Sequence, residues 1–351
     1  MQTKEVHYSD YLQLDKILQA QTLESDLHGA HAHDEMLFII IHQAYELWFK
    51  QVLFEIDSIA QILSQPEISD NSPDLQTVVH RMTRIATILK VAVHQIDIME
   101  TMTPMDFLDF RNFLRPASGF QSWQFKLTEA RLGLRYTERF AQEYYISQLR
   151  MEHIQLIKEN EKQPSLLDLV NGWLERMPFF DQVENWKNYQ PIFPAERDEQ
   201  PFWNDYKNLY ERSLMENEKY NLRSFLKVFF GEEELGTGNE EARRLSPRAC
   251  RAALFIILYR GYPMLQAPFQ LLNLLLEIDE QLSTWRYRHV NMVHRMIGMR
   301  TGTGGSSGKD YLHGALTKHY IFKEVAALTS FLIERKSLPK LSAELESKLG
   351  F

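Results

Sequence analysis

The sequence predicts an all-α protein that folds as one large helical-bundle domain. Gly and Pro are scarce, at 15 and 13 of 351 residues, and they are clustered. Between the clusters, apolar residues recur with the period of an α-helix, and runs of alternating β-branched residues are absent. The chain is long enough to bury a sizeable core, and 44% hydrophobic with 25% charged residues is typical of an ordered globular protein.

Charge and cysteine content exclude several classes of protein. The formal net charge is −8 and no basic block is present, so we expect no nucleic-acid partner. The longest apolar runs, 36–41 and 252–259, are too short to span a bilayer, and the first residues lack a signal-peptide pattern, so we expect no membrane partner. Cys250 is the single cysteine, which rules out an intrachain disulfide and favours a reducing, cytoplasmic location.

The order of the helices follows from the same periodicity. The first helix is predicted from Tyr8 to about Gln21, and a polar loop over 24–33. A helix from Asp34 to about Leu63 is apolar nearly all round, which predicts a central buried helix. Further helices are predicted at 75–102, 107–114, 121–134, 137–161, 165–175, 202–229, 248–261, 267–283 and 311–335, with a short one at the C-terminus, an irregular segment at 177–201 and an acidic loop at 231–242.

The stretch from Trp285 to Gly308 combines a helix with a glycine-rich loop. The helical period places His289 on an apolar face with Trp285. The loop Thr301–Gly308 bends sharply and exposes backbone N–H groups. Such a stretch suits a cofactor on the helix and an anionic group on the loop, although a helix end with an exit loop also explains it. The loop is not a phosphate-binding P-loop, because Thr303 stands where that motif needs its first glycine.

Three other side chains on helix faces leave alternatives open. His42 shares a face with Phe38, and it is either a neutral core histidine bonded to a neighbour or a group facing a pocket. Arg111, among phenylalanines, either reaches out to water or offers its planar guanidinium to a carboxylate. His294 competes with His289 as the axial ligand that a haem needs. Five residues on a helix correspond to about 140° of rotation, so the two cannot ligate one iron, and spacing does not choose between them.

Five blocks of the sequence, in the same order, resemble the tryptophan 2,3-dioxygenase family. They are long and distinctive, and together they span almost the whole chain. The blocks are Tyr8–Leu12, His33–Gln51, Asp106–Arg111, Pro116–Ser122 and Trp285–Gly308.

The resemblance implies a haem enzyme. Members of this family use one haem b per subunit and O₂ as co-substrate to open the indole ring of L-tryptophan, giving N-formyl-L-kynurenine, the first step of tryptophan catabolism by the kynurenine route. By motif match, His289 is the axial ligand of the haem iron and His42 is the catalytic histidine that hydrogen-bonds the indole N–H. Arg111 corresponds to the residue that pairs with the substrate carboxylate, and Thr303 to the one that contacts the amino-acid head group.

The family pattern also assigns the walls of the pocket. Phe38 and Leu114 match residues that line the substrate pocket. Ser118 and Gly119 are expected beside the pocket, with Ser118 on the substrate side and Gly119 on the cofactor side. Phe107 stands where some relatives carry a tyrosine, so a hydroxyl contact made by those relatives is in doubt here.

The N-terminal block implies an assembly. In the family this segment reaches into a neighbouring subunit's pocket, and Tyr8, Tyr11 and Leu12 match it, which implies a homotetramer. We therefore divide the chain into an N-terminal arm at 1–25 and a helical haem dioxygenase domain at 26–351. Two alternatives stay open: a non-catalytic helical relative that acts as a binding or scaffold protein, and an indoleamine-type dioxygenase with a broader range of indoles.

Overall fold

The predicted all-α class is confirmed. The computed structural model describes residues 5–66, 72–140, 142, 147–177, 183–194, 201–231, 243–298, 300, 302, 314, 316 and 318–350, and within them it contains helices and turns but no β-strand. In chain order the helices are α1 (Tyr8–Leu12), α2 (Leu14–Ile17), α3 (Glu24–Leu27), α4 (Glu35–Leu63), α5 (Pro73–Met99), α6 (Pro104–Arg111), α7 (Trp123–Leu132), α8 (Met151–Glu161), α9 (Leu166–Glu175), α10 (Val183–Trp186), α11 (Pro201–Ser213), α12 (Asn221–Phe230), α13 (Pro247–Leu258), α14 (Pro263–Ile297), α15 (Lys323–Ala327) and α16 (Ala343–Lys348).

The long helices α4, α5 and α14 organise the fold. α5 packs against both α4 and α14, and α7 also packs against α4. α14 is 35 residues long and unites two helices that the sequence suggested separately, with Pro268 accommodated near its start. None of the helices in the described ranges has the length and apolar character needed to cross a lipid bilayer.

Several predicted helices are shorter than expected. The first ends at Leu12, because Gln13 adopts a left-handed conformation with φ of 54° and interrupts the helix before α2. The predicted polar loop at 24–33 contains the short helix α3. The predicted helix 202–229 is broken into α11 and α12, since the Ser213 hydroxyl bonds the Tyr210 carbonyl and the Glu218 carboxylate accepts the N–H of Met215.

Three other segments also differ from the sequence prediction. In its described part, the segment 311–335 is helical at Gly314, Leu316 and Lys318 and contains α15 followed by a 3₁₀ turn at Leu328–Phe331. The segment 137–161 begins within a 3₁₀ turn at Tyr136–Glu138, and its described residues are helical at Gln142 and Ser147 and again over α8. The irregular segment 177–201 contains α10, and residues 232–242 of the acidic loop lie outside the described residues.

The prediction that α4 is buried on all sides is wrong for the single chain. One face carries core residues, but Ile40, Leu47 and Phe54 are 48%, 55% and 69% exposed. The apolar side chains of this helix therefore form two faces, of which only one packs inside this chain.

Local capping fixes the elements that carry the site. The Thr103 hydroxyl accepts the N–H of Asp106 (3.3 Å), and the Asp106 carboxylate accepts the N–H of Thr103 (2.8 Å). This reciprocal cap starts α6 and places Arg111 in its last turn. The Ser122 hydroxyl caps α7 in the same manner by accepting the N–H of Phe125 (3.3 Å).

Candidate active site

A cavity of about 280 Å³ lies between α4, α6, α7 and α14. Most of its wall surface is apolar, with Phe38, Phe125 and Met292 among the lining residues. Polar side chains, among them His42, Arg111 and Glu129, interrupt this apolar wall, which is the composition of a site for a largely apolar ligand that polar contacts orient.

His42 and His289 line this cavity together, from α4 and α14. His294 does not line it and is exposed to solvent. The rotation between the two histidines of α14 therefore turns one toward the cavity and the other away from it. His289 is the α14 histidine able to hold a cofactor inside the fold.

The tautomer of His42 is set by its own helix. Its Nδ1 lies 2.7 Å from the carbonyl oxygen of Phe38. A carbonyl only accepts, so Nδ1 must carry the proton, and the neutral ring keeps Nε2 as an acceptor. Burial lowers the pKa of His42, although the Phe38 carbonyl and the charge of Glu46 act in the opposite direction. His42 is thus a neutral hydrogen-bond acceptor at neutral pH.

His289 is also neutral. Burial, with a smaller contribution from His42, lowers its pKa to about 4. Its Nδ1 is buried and has no hydrogen-bond partner among the described residues. The imidazole lies parallel to the Trp285 indole, with ring centroids 5.0 Å apart and 5° between the planes. A neutral imidazole keeps the lone pair that a metal ion requires.

Arg111 is buried at 4% exposure, so its guanidinium does not reach out to water. Burial, together with the positive charges of Arg115 and Arg300, lowers its pKa. Arg111 lines the cavity with Phe107 next to it on α6. A buried guanidinium near two further cations favours the binding of a carboxylate, which a planar donor pair can hold with two parallel hydrogen bonds.

Of the remaining residues predicted for the site, some line the cavity and others do not. Ser118 and Gly119 line the cavity, and Phe38 and Phe107 form an aromatic pair with centroids 5.7 Å apart. Leu114 does not line it but packs against the same apolar cluster as these phenylalanines. Thr303 lies outside the described residues.

The N-terminal residues do not enter their own chain's cavity. Tyr8 and Tyr11 are 70% and 74% exposed, and Leu12 is half-buried but also absent from the lining. The structure of one chain therefore brings together the residues of α4, α6, the 118–119 turn and α14, but not those of α1.

A buried charged group at the cavity wall was missed by the sequence prediction. Glu129 of α7 accepts one hydrogen bond from Arg139 and one from Arg286, each 2.6 Å long. Burial favours the neutral carboxyl, but the two guanidinium groups outweigh it and hold the pKa of Glu129 well below its usual range. Burial lowers the pKa of Lys126, one turn earlier, to about 7. No sequence motif joins Glu129 to Arg286, because the two residues are 157 positions apart in the chain.

Fold and cavity together define an all-α protein with two neutral histidines and a buried guanidinium around one apolar cavity. A family model described as Tryptophan 2,3-dioxygenase matches residues 1–332. The chain belongs to the tryptophan 2,3-dioxygenase family, whose curated members are named as dioxygenases of tryptophan.

Individual relatives match over nearly the whole chain. The tryptophan 2,3-dioxygenase of Bdellovibrio bacteriovorus is 43% identical over 99% of this chain and 98% of its own length. Those of Xenopus laevis and Dictyostelium discoideum are each 42% identical, over 97% and 99% of this chain and 86% and 89% of their own lengths. The comparisons do not support the alternative of a non-catalytic scaffold protein.

Proposed function

We propose that the protein is a haem-dependent dioxygenase that converts L-tryptophan and O₂ into N-formyl-L-kynurenine, the first step of tryptophan catabolism by the kynurenine route. The observation that carries this proposal is the convergence of neutral His42, neutral His289 and buried Arg111 on one apolar cavity. Together they offer a hydrogen-bond acceptor, a ligand for a metal ion and a guanidinium that can bind a carboxylate.

The residues present fit a haem b. His289 faces the cavity with a neutral imidazole, and aromatic and methionine side chains supply apolar surface for a porphyrin. His289 would hold the iron, and the backbone at Gly119 would lie beside the cofactor. The haem, when bound, supplies the redox-active iron on which O₂ is activated.

The chain's own residues bind and orient the substrate. Arg111 holds the carboxylate of L-tryptophan, and Thr303 contacts its amino-acid head group. Phe38 and Phe107 enclose the indole, Leu114 supports them from behind, and Ser118 borders the pocket. Holding the indole in one pose contributes to catalysis by positioning.

His42 accepts the indole N–H through Nε2. Because burial keeps its pKa low, the ring stays neutral and able to accept. The indole N–H is a far weaker acid than an imidazolium ion, so His42 orients the indole and need not remove its proton.

The working form is proposed to be a cytoplasmic homotetramer. Residues 1–25 act as an arm in which Tyr8, Tyr11 and Leu12 complete the pocket of a neighbouring subunit, and residues 26–351 form the dioxygenase domain. The exposure of both tyrosines and of the second apolar face of α4 supports an assembly.

The test is the consumption of O₂ by the haem-loaded protein with L-tryptophan. We expect one O₂ taken up per tryptophan, N-formyl-L-kynurenine as product, and a change in the absorbance spectrum of the ferrous protein when L-tryptophan is added without O₂. Tryptamine, which lacks the carboxylate facing Arg111, should be a much poorer substrate. A protein without haem absorbance, or without tryptophan-dependent O₂ uptake, contradicts the proposal. Equal use of tryptamine and other indoles would point to an indoleamine-type specificity.

A further inference from the structure

The Nδ1 atom of His289 lacks the partner that usually orients a metal-binding histidine. Such histidines almost always donate the second ring N–H to a carboxylate, a carbonyl or water, which fixes the plane of the ring and increases its donor strength. Here Nδ1 is buried, and no acceptor in the described part of the chain reaches it. Within the described part of the chain, the contacts that orient the imidazole are therefore packing contacts.

Trp285 provides that packing. It precedes His289 by one turn of α14, so the two rings stack on the same face of one helix. The indole is itself in contact with Phe125, 4.9 Å away between centroids, and with Tyr45, whose ring is nearly perpendicular to it at 6.0 Å. Tyr45 is fixed in turn, since its hydroxyl donates to the carbonyl oxygen of Ala92 (3.0 Å). The stack is thus anchored to α4, α5 and α7.

We propose that Trp285 is a positioning residue for the haem ligand: its indole fixes the plane of the His289 imidazole in place of a hydrogen bond to Nδ1. This inference rests on the proposed haem function. It has an electronic consequence, because a ring without an acceptor at Nδ1 gains no anionic character. The ligand is therefore a weaker donor than a carboxylate-bonded histidine, which favours the ferrous state of the iron.

A purely structural role makes different predictions. If Trp285 only fills space, its loss lowers the stability of the protein but leaves the iron–histidine bond unchanged in the molecules that fold. If it orients the ring, its loss frees the imidazole to rotate, and the bond becomes heterogeneous. Haem affinity falls at the same time, because binding must then restrict a mobile side chain.

The experiment compares Trp285→Leu and Trp285→Phe with a matched control, Trp123→Leu. Trp123 also stacks on a histidine, His153 at 5.3 Å, but it does not line the cavity. The measurements are the haem dissociation constant from Soret titration of the folded apo-protein and the iron–histidine band in the resonance Raman spectrum of the ferrous protein. We expect Trp285→Leu to weaken haem binding about tenfold and to broaden or split the band. Trp285→Phe should give a smaller change, and Trp123→Leu none.

If folded Trp285→Leu keeps the wild-type iron–histidine band and the wild-type haem affinity, the proposal is overturned. If circular dichroism shows that this variant does not fold, Trp285→Phe decides, and wild-type values in it overturn the proposal equally. Equal effects in Trp285→Leu and Trp123→Leu also overturn it, since they would mark a general loss of packing. Failure of the wild-type protein to bind haem is a separate result that refutes the proposed function itself.

Discussion

The acceptor role of His42 leads to a quantitative prediction. With Nδ1–H committed to the Phe38 carbonyl, Nε2 is the ring atom left to accept the indole N–H. A ligand whose indole nitrogen is methylated cannot donate, and it leaves this buried acceptor without a partner. That loss costs about 1–3 kcal/mol, which corresponds to roughly 5- to 150-fold in affinity.

The assay is a cycle of two proteins and two ligands. Wild-type protein and His42→Ala, both haem-loaded, are titrated with L-tryptophan and 1-methyl-L-tryptophan. Methylation should weaken binding to the wild-type protein by the factor above and have little effect in His42→Ala, where the acceptor is absent and space is available. Retained but lower turnover is expected for His42→Ala. The same loss on methylation in both proteins would refute the hydrogen bond, and complete inactivity with haem intact would indicate an essential base.

Three further predictions concern charge. Arg111→Leu should weaken L-tryptophan binding by about 2–4 kcal/mol, roughly 30- to 900-fold, with no comparable loss for tryptamine; an unchanged affinity for L-tryptophan contradicts its role. In the apo-protein, the pKa of His289 is about 4 when folded and 6.5 when unfolded, so the unfolded chain binds the proton first as pH falls. This group therefore removes about 2 kcal/mol of stability between pH 7 and pH 5. Urea titrations of His289→Phe should lack this part of the loss in unfolding free energy between pH 7 and pH 5. A pH dependence identical to that of the wild-type protein would contradict the lowered pKa of His289. Glu129→Gln, which leaves Arg139 and Arg286 buried without their carboxylate, should lose about 3–5 kcal/mol of stability in the same assay, and a loss under about 1 kcal/mol would show that the group is not stabilising.

The sequence predicted those parts of the fold that depend on local periodicity. The long helices α4 and α5 follow from the spacing of their apolar residues. The breaks at Gln13 and around Met215 were missed, because a single left-handed residue or one carboxylate–backbone bond leaves little trace in an apolar pattern.

Some features of the candidate site likewise depend on tertiary contacts that local sequence patterns do not predict. Spacing alone could not separate His289 from His294, whereas packing of α14 separates them by turning one into the cavity. The burial of Arg111, which excludes the alternative that it reaches out to water, likewise depends on tertiary contacts. The bond from Glu129 to Arg286 joins residues 157 positions apart, so no local pattern predicts it.

We propose that His289, and no other histidine of α14, holds the haem of a tryptophan dioxygenase. The most direct test is the Soret absorbance per chain of wild-type protein, His289→Ala and His294→Ala, purified in parallel after expression with haem available. We predict full haem content in His294→Ala and its loss in His289→Ala, with helical content unchanged in both. Haem retained in His289→Ala and lost in His294→Ala would contradict the account.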